Sequence, residues 1–288
     1  MFDEQLIHPA TEPTNEIDVR KSGKDVSRKD GYHNTLLTGE DSPGKIRMRD
    51  TVVDLVLDTC SWSKKHPLNF VSLPGPRWVV EHELFRRTDT KARFTAFEHN
   101  ESLMLKGAFN VPRLEKVGGH GFRKLNDLDV PYFKTNSARW MQVDFLDWCL
   151  TEDSMVLPHL WRQDPLHDPW EFWLQRYWSA DAFWLDFTSP LYQKMIDALT
   201  RMPKLVGNDK GNDKPIVVTV QKGRECCKAT KLMRDLAMTR GELIAFLLDR
   251  REGHKLEVIE EYEYKSVGGV TMTNLVAVWR NTQNKCKN

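Results

Sequence analysis

The sequence predicts a doubly wound α/β domain: a mostly parallel seven-stranded sheet with helices on both faces and a C-terminal antiparallel β-hairpin. Three observations carry that expectation. Five short apolar runs, "LNFVSL", "ARFTAFEHN", "RWMQVDF", "DAFWLDF" and "PIVVTVQ", alternate with amphipathic stretches, and near-continuous apolar runs are what strands buried on both faces of a parallel sheet require. Two longer runs, "KLEVIEEYEYKS" and "VTMTNLVAVWR", flank Gly268-Gly269 and read as a closing hairpin. At 288 residues and 40% hydrophobic, the chain is long enough for one such domain and an additional arm.

Residues 1–49 are polar and turn-rich, with too few apolar side chains for a core, and read as an N-terminal arm. Its Arg20, Lys21, Lys24, Arg28 and Lys29 are either phosphate contacts or a solvated tail. The domain proper is expected over 50–288. Asp50 stands where it can cap a first helix, with Val52, Val53, Val56, Leu57 and Cys60 along one side. After "LNFVSL" a turn leads into a helix over 77–87, and Asn100 can cap another at "ESLMLKGAF". The stretch from Asn110 to about Pro131 reads as a loop, and "LDWCL" as a short helix.

A tryptophan-rich insertion is expected at about 157–180. There Asp168 caps, Pro169 takes the first helical position, and Trp170, Trp173, Leu174 and Tyr177 make a helical stripe. Such a stripe serves core packing, or a base-stacking or partner surface. Ser189-Pro190 opens a helix that Pro203 stops, and Thr239 with Glu242 makes a capping box.

Composition narrows the function classes. A formal charge of +1 excludes a polycation as a whole. No apolar run reaches the roughly 18 residues that span a bilayer, and the acidic N-terminus lacks a signal-peptide core. Five cysteines, with Cys226 and Cys227 adjacent, point to free thiols in a reducing compartment, hence a cytoplasmic location. His82-Glu83 lacks the second histidine of a zinc-protease helix, so no metal site emerges.

The chemistry concentrates at the carboxyl ends of the predicted strands. "SLPGP" follows the first, where a glycine turn and a helix N-terminus let backbone approach a ligand. Ser72 and Gly75 belong to this turn, although Pro74 and Pro76 carry no N–H to donate. Glu98 closes the second strand, 23 positions after Gly75, near the spacing of about 20 expected of an acid that binds ribose hydroxyls. Asp144 and Phe145 follow the third strand, placed for an adenine amino group and ring face.

In this order of elements, with Glu98, "VDF", "WLDFTSP" and the closing hairpin, the chain resembles the class I S-adenosylmethionine-dependent methyltransferases over about residues 50–281. The resemblance implies S-adenosylmethionine as cofactor. Its methionine end would lie at Ser72 and Gly75, its ribose at Glu98 and its adenine at Asp144 and Phe145. It also places "LDFTSP" at the methyl acceptor. Asp186 is then a general base or acceptor-positioning group, with Lys222 as electrostatic neighbour; a helix cap is the plain alternative for Asp186. The Lys-Asp-Lys-Glu set of ribose 2′-O enzymes is matched loosely by Lys64 or Lys65, Asp186, Lys222 and Glu260, with Thr219 where that family has its strand-borne lysine. The hairpin argues against a nicotinamide dehydrogenase, whose sheet continues with parallel strands.

Between Arg201 and Arg234 stand nine lysines and arginines against three acids. This is compatible with RNA or DNA as partner, or with a solvated charged face. A protein partner through the tryptophan-rich insertion or the arm is the other expectation, and no membrane partner is expected. Two readings stand: a methyltransferase acting on nucleic acid, or a non-catalytic binding or assembly module whose cofactor turn has decayed.

Overall fold

The computed structural model describes residues 41–75, 77–98, 122–125, 130–134, 138–141, 145–150, 180–206, 212–251 and 253–282. The arm up to residue 40, the "ESLMLKGAF" helix and the tryptophan-rich insertion up to residue 179 lie outside them. Six helices are described: α1 Pro43–Thr59, α2 Val79–Arg87, α3 Phe145–Leu150, α4 Gln193–Leu205, α5 Cys227–Asp235 and α6 Arg240–Leu248. The strands are β1 Leu68–Ser72, β2 Ala92–Phe97, β3 Phe122–Leu125, β4 Val130–Lys134, β5 Ala138–Met141, β6 Ala182–Asp186, β7 Lys214–Gln221, β8 His254–Lys265 and β9 Thr271–Asn281.

They form one mixed, nine-stranded sheet in the order β3-β4-β5-β2-β1-β6-β7-β9-β8. Strands β5, β2, β1, β6 and β7 run parallel. Strand β9 is antiparallel to both β7 and β8, so the chain ends in the hairpin read from its pattern. The strand number corrects the expectation of seven. Strands β3 and β4 pair antiparallel, and β4 pairs antiparallel with β5; β3 lies inside the stretch read as a loop and β4 begins at its end.

Alternate residues of the central strands enter two separate apolar clusters, as the two-residue period of a strand dictates. One joins Leu68, Phe70, Phe94, Trp184, Val217 and Val276 to Met48, Val52, Val53 and Val56 of α1 and to Val80, Leu84 and Phe85 of α2. The other joins Val71, Phe183, Leu185, Ile216, Val218 and Leu275 to side chains of α3, α4 and α6. Burying each such side chain contributes roughly 1.5–3 kcal/mol. Among the described residues no helix is long and apolar enough to cross a membrane.

Three helices start later or earlier than the pattern suggests. Helix α1 begins at Pro43, not at Asp50: Ser42 is its N-cap, its hydroxyl accepting from the Lys45 N–H, and Pro43 takes the first helical position. Helix α2 begins at Val79 because Trp78 sits at φ 51°, in the left-handed region. Helix α4 starts at Gln193, beyond Ser189-Pro190, and carries Pro203 in its last turn. The capping box at Thr239 and Glu242 forms as read.

The hairpin leaves β8 as a sheet edge. It carries a bulge between Val258 and Glu260 and alternates glutamates with apolar side chains. Helix α1 leans on this strand closely: a Cβ built on Gly44 would stand 2.3 Å from the Tyr264 Cβ. Gly44→Ala is therefore expected to cost about 1–3 kcal/mol of stability, the usual cost of overpacking, read as a lower urea midpoint at unchanged slope.

Candidate functional site

A parallel arrangement brings the carboxyl ends of β5, β2, β1, β6 and β7 to one edge, where ligands of open α/β sheets bind. Ser72 is the last residue of β1 and fully buried. Gly75 follows in the turn that closes with Trp78 N–H donating to the Gly75 carbonyl at 3.1 Å. Glu98 immediately follows β2, and Asp186 ends β6, the next strand beyond β1. Asp144 lies outside the described residues. Phe145 opens α3 with its ring buried, edge-on to Phe97 at 5.3 Å and near Phe187 at 6.3 Å.

The structure does not assemble the loosely matched Lys-Asp-Lys-Glu set. Lys222 lies just beyond β7 with its ammonium 2.9 Å from Glu263, both exposed. Glu260 pairs with Arg47. Asp186 pairs with Lys45 of α1, whose ammonium also stands 5.6 Å above the Trp184 ring. In strand register Asp186 lies beside Thr219, Thr219 beside Asn274, and Asn274 beside Tyr262. The Thr219 hydroxyl donates to Asn274 Oδ1 at 2.6 Å, so a neutral pair stands where the resemblance implied a lysine.

Sequence reading missed the residues that complete this edge. Helix α1 sends Lys45 to β6, Arg47 to Glu260 and the Tyr262 ring on β8, and Arg49 to Asp41. Arg77, from the turn after β1, donates to the same Asp41 Oδ2 at 2.7 Å. Burial opposes the Asp41 anion, yet hydrogen bonds from Arg77 and Arg49 hold its carboxyl below the usual range.

Behind this surface lie buried polar atoms: Asp186 Oδ1 and Arg49 Nε without a hydrogen-bond partner, and the Glu81 carboxyl, which meets the Ser72 hydroxyl and its own backbone N–H. Buried polar atoms are normally satisfied, so this concentration is unusual. Glu81 projects from the first turn of α2 into complete burial. Burial pushes its carboxyl up to about 7, against a smaller opposing pull from the nearby Ser72 hydroxyl and from Arg49; Asp186 adds a small upward push. Chemically, Glu81 suits an ammonium, Asp186 a hydroxyl or amine donor, and the Arg49 and Arg77 guanidiniums a carboxylate. Among the described residues no cluster could hold a metal ion.

No family model matches the chain, and no curated protein does. Solved structures with a similar course of chain include TYW2 of M. jannaschii in complex with AdoMet, at 16% identity over 83% of this chain and 77% of that one, TM-score 0.41. Geranyl diphosphate C-methyltransferase from Streptomyces coelicolor A3(2) is 10% identical over 90% and 84% of the two chains, TM-score 0.42. Trm1 from Pyrococcus horikoshii with S-adenosyl-L-methionine is 13% identical over 83% and 56%, TM-score 0.43. Superpositions this loose leave the functional reading to the sheet order and the side chains.

Glu81 gives this site a pH signature. Its carboxyl ordinarily titrates near 4.5 and in the folded chain near 7. Between these values the folded protein holds a proton that the unfolded chain has lost, so rising pH opposes folding. Stability is expected to fall by on the order of 3 kcal/mol from about pH 4.5 to pH 7. In Glu81→Gln that slope should vanish and stability at pH 8 should exceed the parent's, as urea unfolding across pH 4.5–8 would show.

Proposed function

We propose that this doubly wound sheet, with helices on both faces, is the scaffold of an S-adenosylmethionine-dependent methyltransferase acting on nucleic acid in the cytoplasm. One observation carries the reading: the parallel order β5-β2-β1-β6-β7 followed by antiparallel β9 and then β8. A strand inserted antiparallel between the last two departs from a dinucleotide-binding sheet, and it leaves the ligand edge of the parallel strands intact.

The cofactor supplies an electrophilic methyl carbon on a sulfonium sulfur. The chain's part is to align groups and exclude water. Ser72 and Gly75 border the methionine end, Glu98 accepts from the ribose hydroxyls, and Asp144 and Phe145 border the adenine. Asp186 faces the acceptor. Its Oδ2 is fixed by Lys45 while its Oδ1 has no partner, so Oδ1 is the atom that takes a hydrogen bond, and then the proton, from the attacking group. Lys222 acts from the rim as a field.

The nucleic-acid reading rests on the basic segment between Arg201 and Arg234. Lys222 and Lys228 are paired with Glu263 and Asp197, but these pairs are exposed and weak. Arg224 and Lys231 are exposed, and no ion pair with another described residue is seen for either. They flank and ride on α5, beyond the carboxyl end of β7.

The alternative is a non-catalytic module. It is favoured by Pro74 in the turn, which removes one backbone donor from the cofactor's carboxylate. Calorimetry with S-adenosylmethionine and S-adenosylhomocysteine separates the two: no heat at millimolar ligand would leave only the module. Binding is expected, weakened at least about tenfold by Glu98→Ala, the loss of one or two charge-assisted hydrogen bonds. With an acceptor in hand, Asp186→Asn should lower kcat by roughly 10²–10⁴ with little change in cofactor affinity.

A salt titration of RNA and DNA gel shifts tests the partner. The affinity should fall with log salt, and Arg224→Glu with Lys231→Glu should flatten that slope by about two counterions. A shift that ignores salt would refute the electrostatic assignment.

A further inference from the structure

The Asp41 carboxylate is held by two guanidiniums that come from different parts of the fold. Arg49 reaches it from α1 and Arg77 from the turn after β1, and both donate to the same Oδ2. The three side chains are mostly buried. Forked guanidiniums converging on one oxygen are a receptor for a carboxylate, whichever molecule carries it. Beside the receptor lies Glu81, fully buried, next to the Ser72 hydroxyl and within reach of the Arg49 charge. A carboxylate from outside that brought an ammonium with it would satisfy the arginines and the buried acid together. Asp41 can satisfy only the first.

Asp41 is also free to leave. Helix α1 ends its own hydrogen bonding at Ser42, which lies at φ −67°, ψ 151° and receives Lys45 N–H on both its hydroxyl and its carbonyl. The residue before an N-cap lies outside the helix. Withdrawing the Asp41 side chain therefore costs no helical hydrogen bond.

We propose that Asp41 is a built-in competitor, occupying the Arg49–Arg77 clamp until the carboxylate of an α-amino acid zwitterion, the end of the proposed cofactor, displaces it. This rests on the methyltransferase reading for the ligand's identity, and on the ion pairs alone for the competition. Because Asp41 is tethered, it competes at a high effective concentration. The clamp is open only part of the time, and a ligand's apparent affinity falls by that fraction.

The test is calorimetry on the full chain with two probes: S-adenosylhomocysteine, which has the amino-acid end, and 5′-methylthioadenosine, which lacks it. Asp41→Asn and Asp41→Ala should each bind S-adenosylhomocysteine about tenfold more tightly than the parent, with methylthioadenosine unchanged. Asp41→Glu keeps a carboxylate and should stay near the parent value. Adding Arg77→Met to Asp41→Asn should erase the gain. Thermal unfolding of each variant checks folding, and two neutral replacements guard against one that does not fold. Equal S-adenosylhomocysteine affinity across parent and variants, or an equal gain for methylthioadenosine, overturns the competitor and leaves the methyltransferase reading intact. If neither probe binds any variant, both fall.

Discussion

The molecule depends on β1 and β6 lying side by side, parallel, in the middle of the sheet, their side chains divided between two apolar clusters. Water cannot serve a polar side chain placed there. Whatever stands at their carboxyl ends must find partners from other elements, or remain unsatisfied at a cost of about 1–3 kcal/mol per group. Asp186 finds Lys45, but only for one oxygen; the buried Glu81 carboxyl finds the Ser72 hydroxyl and no counter-charge in direct contact among the described residues. Structures concentrate such unmet demand where a ligand is to supply it, and here it coincides with the edge that parallel topology already selects.

Helix α1 turns that edge into a surface. Its apolar stripe of Met48, Val52, Val53 and Val56 anchors it over the sheet. Its first two turns carry Lys45, Arg47 and Arg49 to three different places: β6, β8 and Asp41, the residue before the N-cap. The apolar contacts fix the helix, and the fixed helix sets where the charges fall. Ion pairs at this depth add orientation more than stability, since desolvation consumes much of their attraction.

Much of the fold was legible because parallel strands advertise themselves. "LNFVSL", "AFWL" and "PIVVTV" are mostly apolar without a two-residue alternation, and each falls on the strand expected. The hairpin "FRKL" with "VPYFK" was not legible, since neither segment alternates cleanly or shows a turn signal of its own. The start of α1 was overlooked although Ser42-Pro43 is a good N-terminal signal, because the polar residues around it read as a tail. The site was legible to the extent that strand ends are: Ser72, Gly75, Glu98 and Asp186 share the predicted edge. Lys222 and Glu260 were grouped with Asp186 by order along the chain, and space separates them into other ion pairs. Glu81, Asp41 and Arg49 gave no sign. A glutamate in an amphipathic helix looks the same in a sequence whether it meets water or the core, and only the packed neighbours decide.

The exposed edge of β8 sets how this protein behaves in company. A lone outer strand of twelve residues offers unpaired backbone groups to any second extended chain. Here the bulge after Val258 breaks the even spacing that an incoming strand would have to match. Glu257, Glu260, Glu261 and Glu263 further line the approach with negative charge. Each of these carboxylates is already engaged, by Arg280, Arg47, Thr239 and Lys222, so a strand arriving at this edge meets side chains that are held in place.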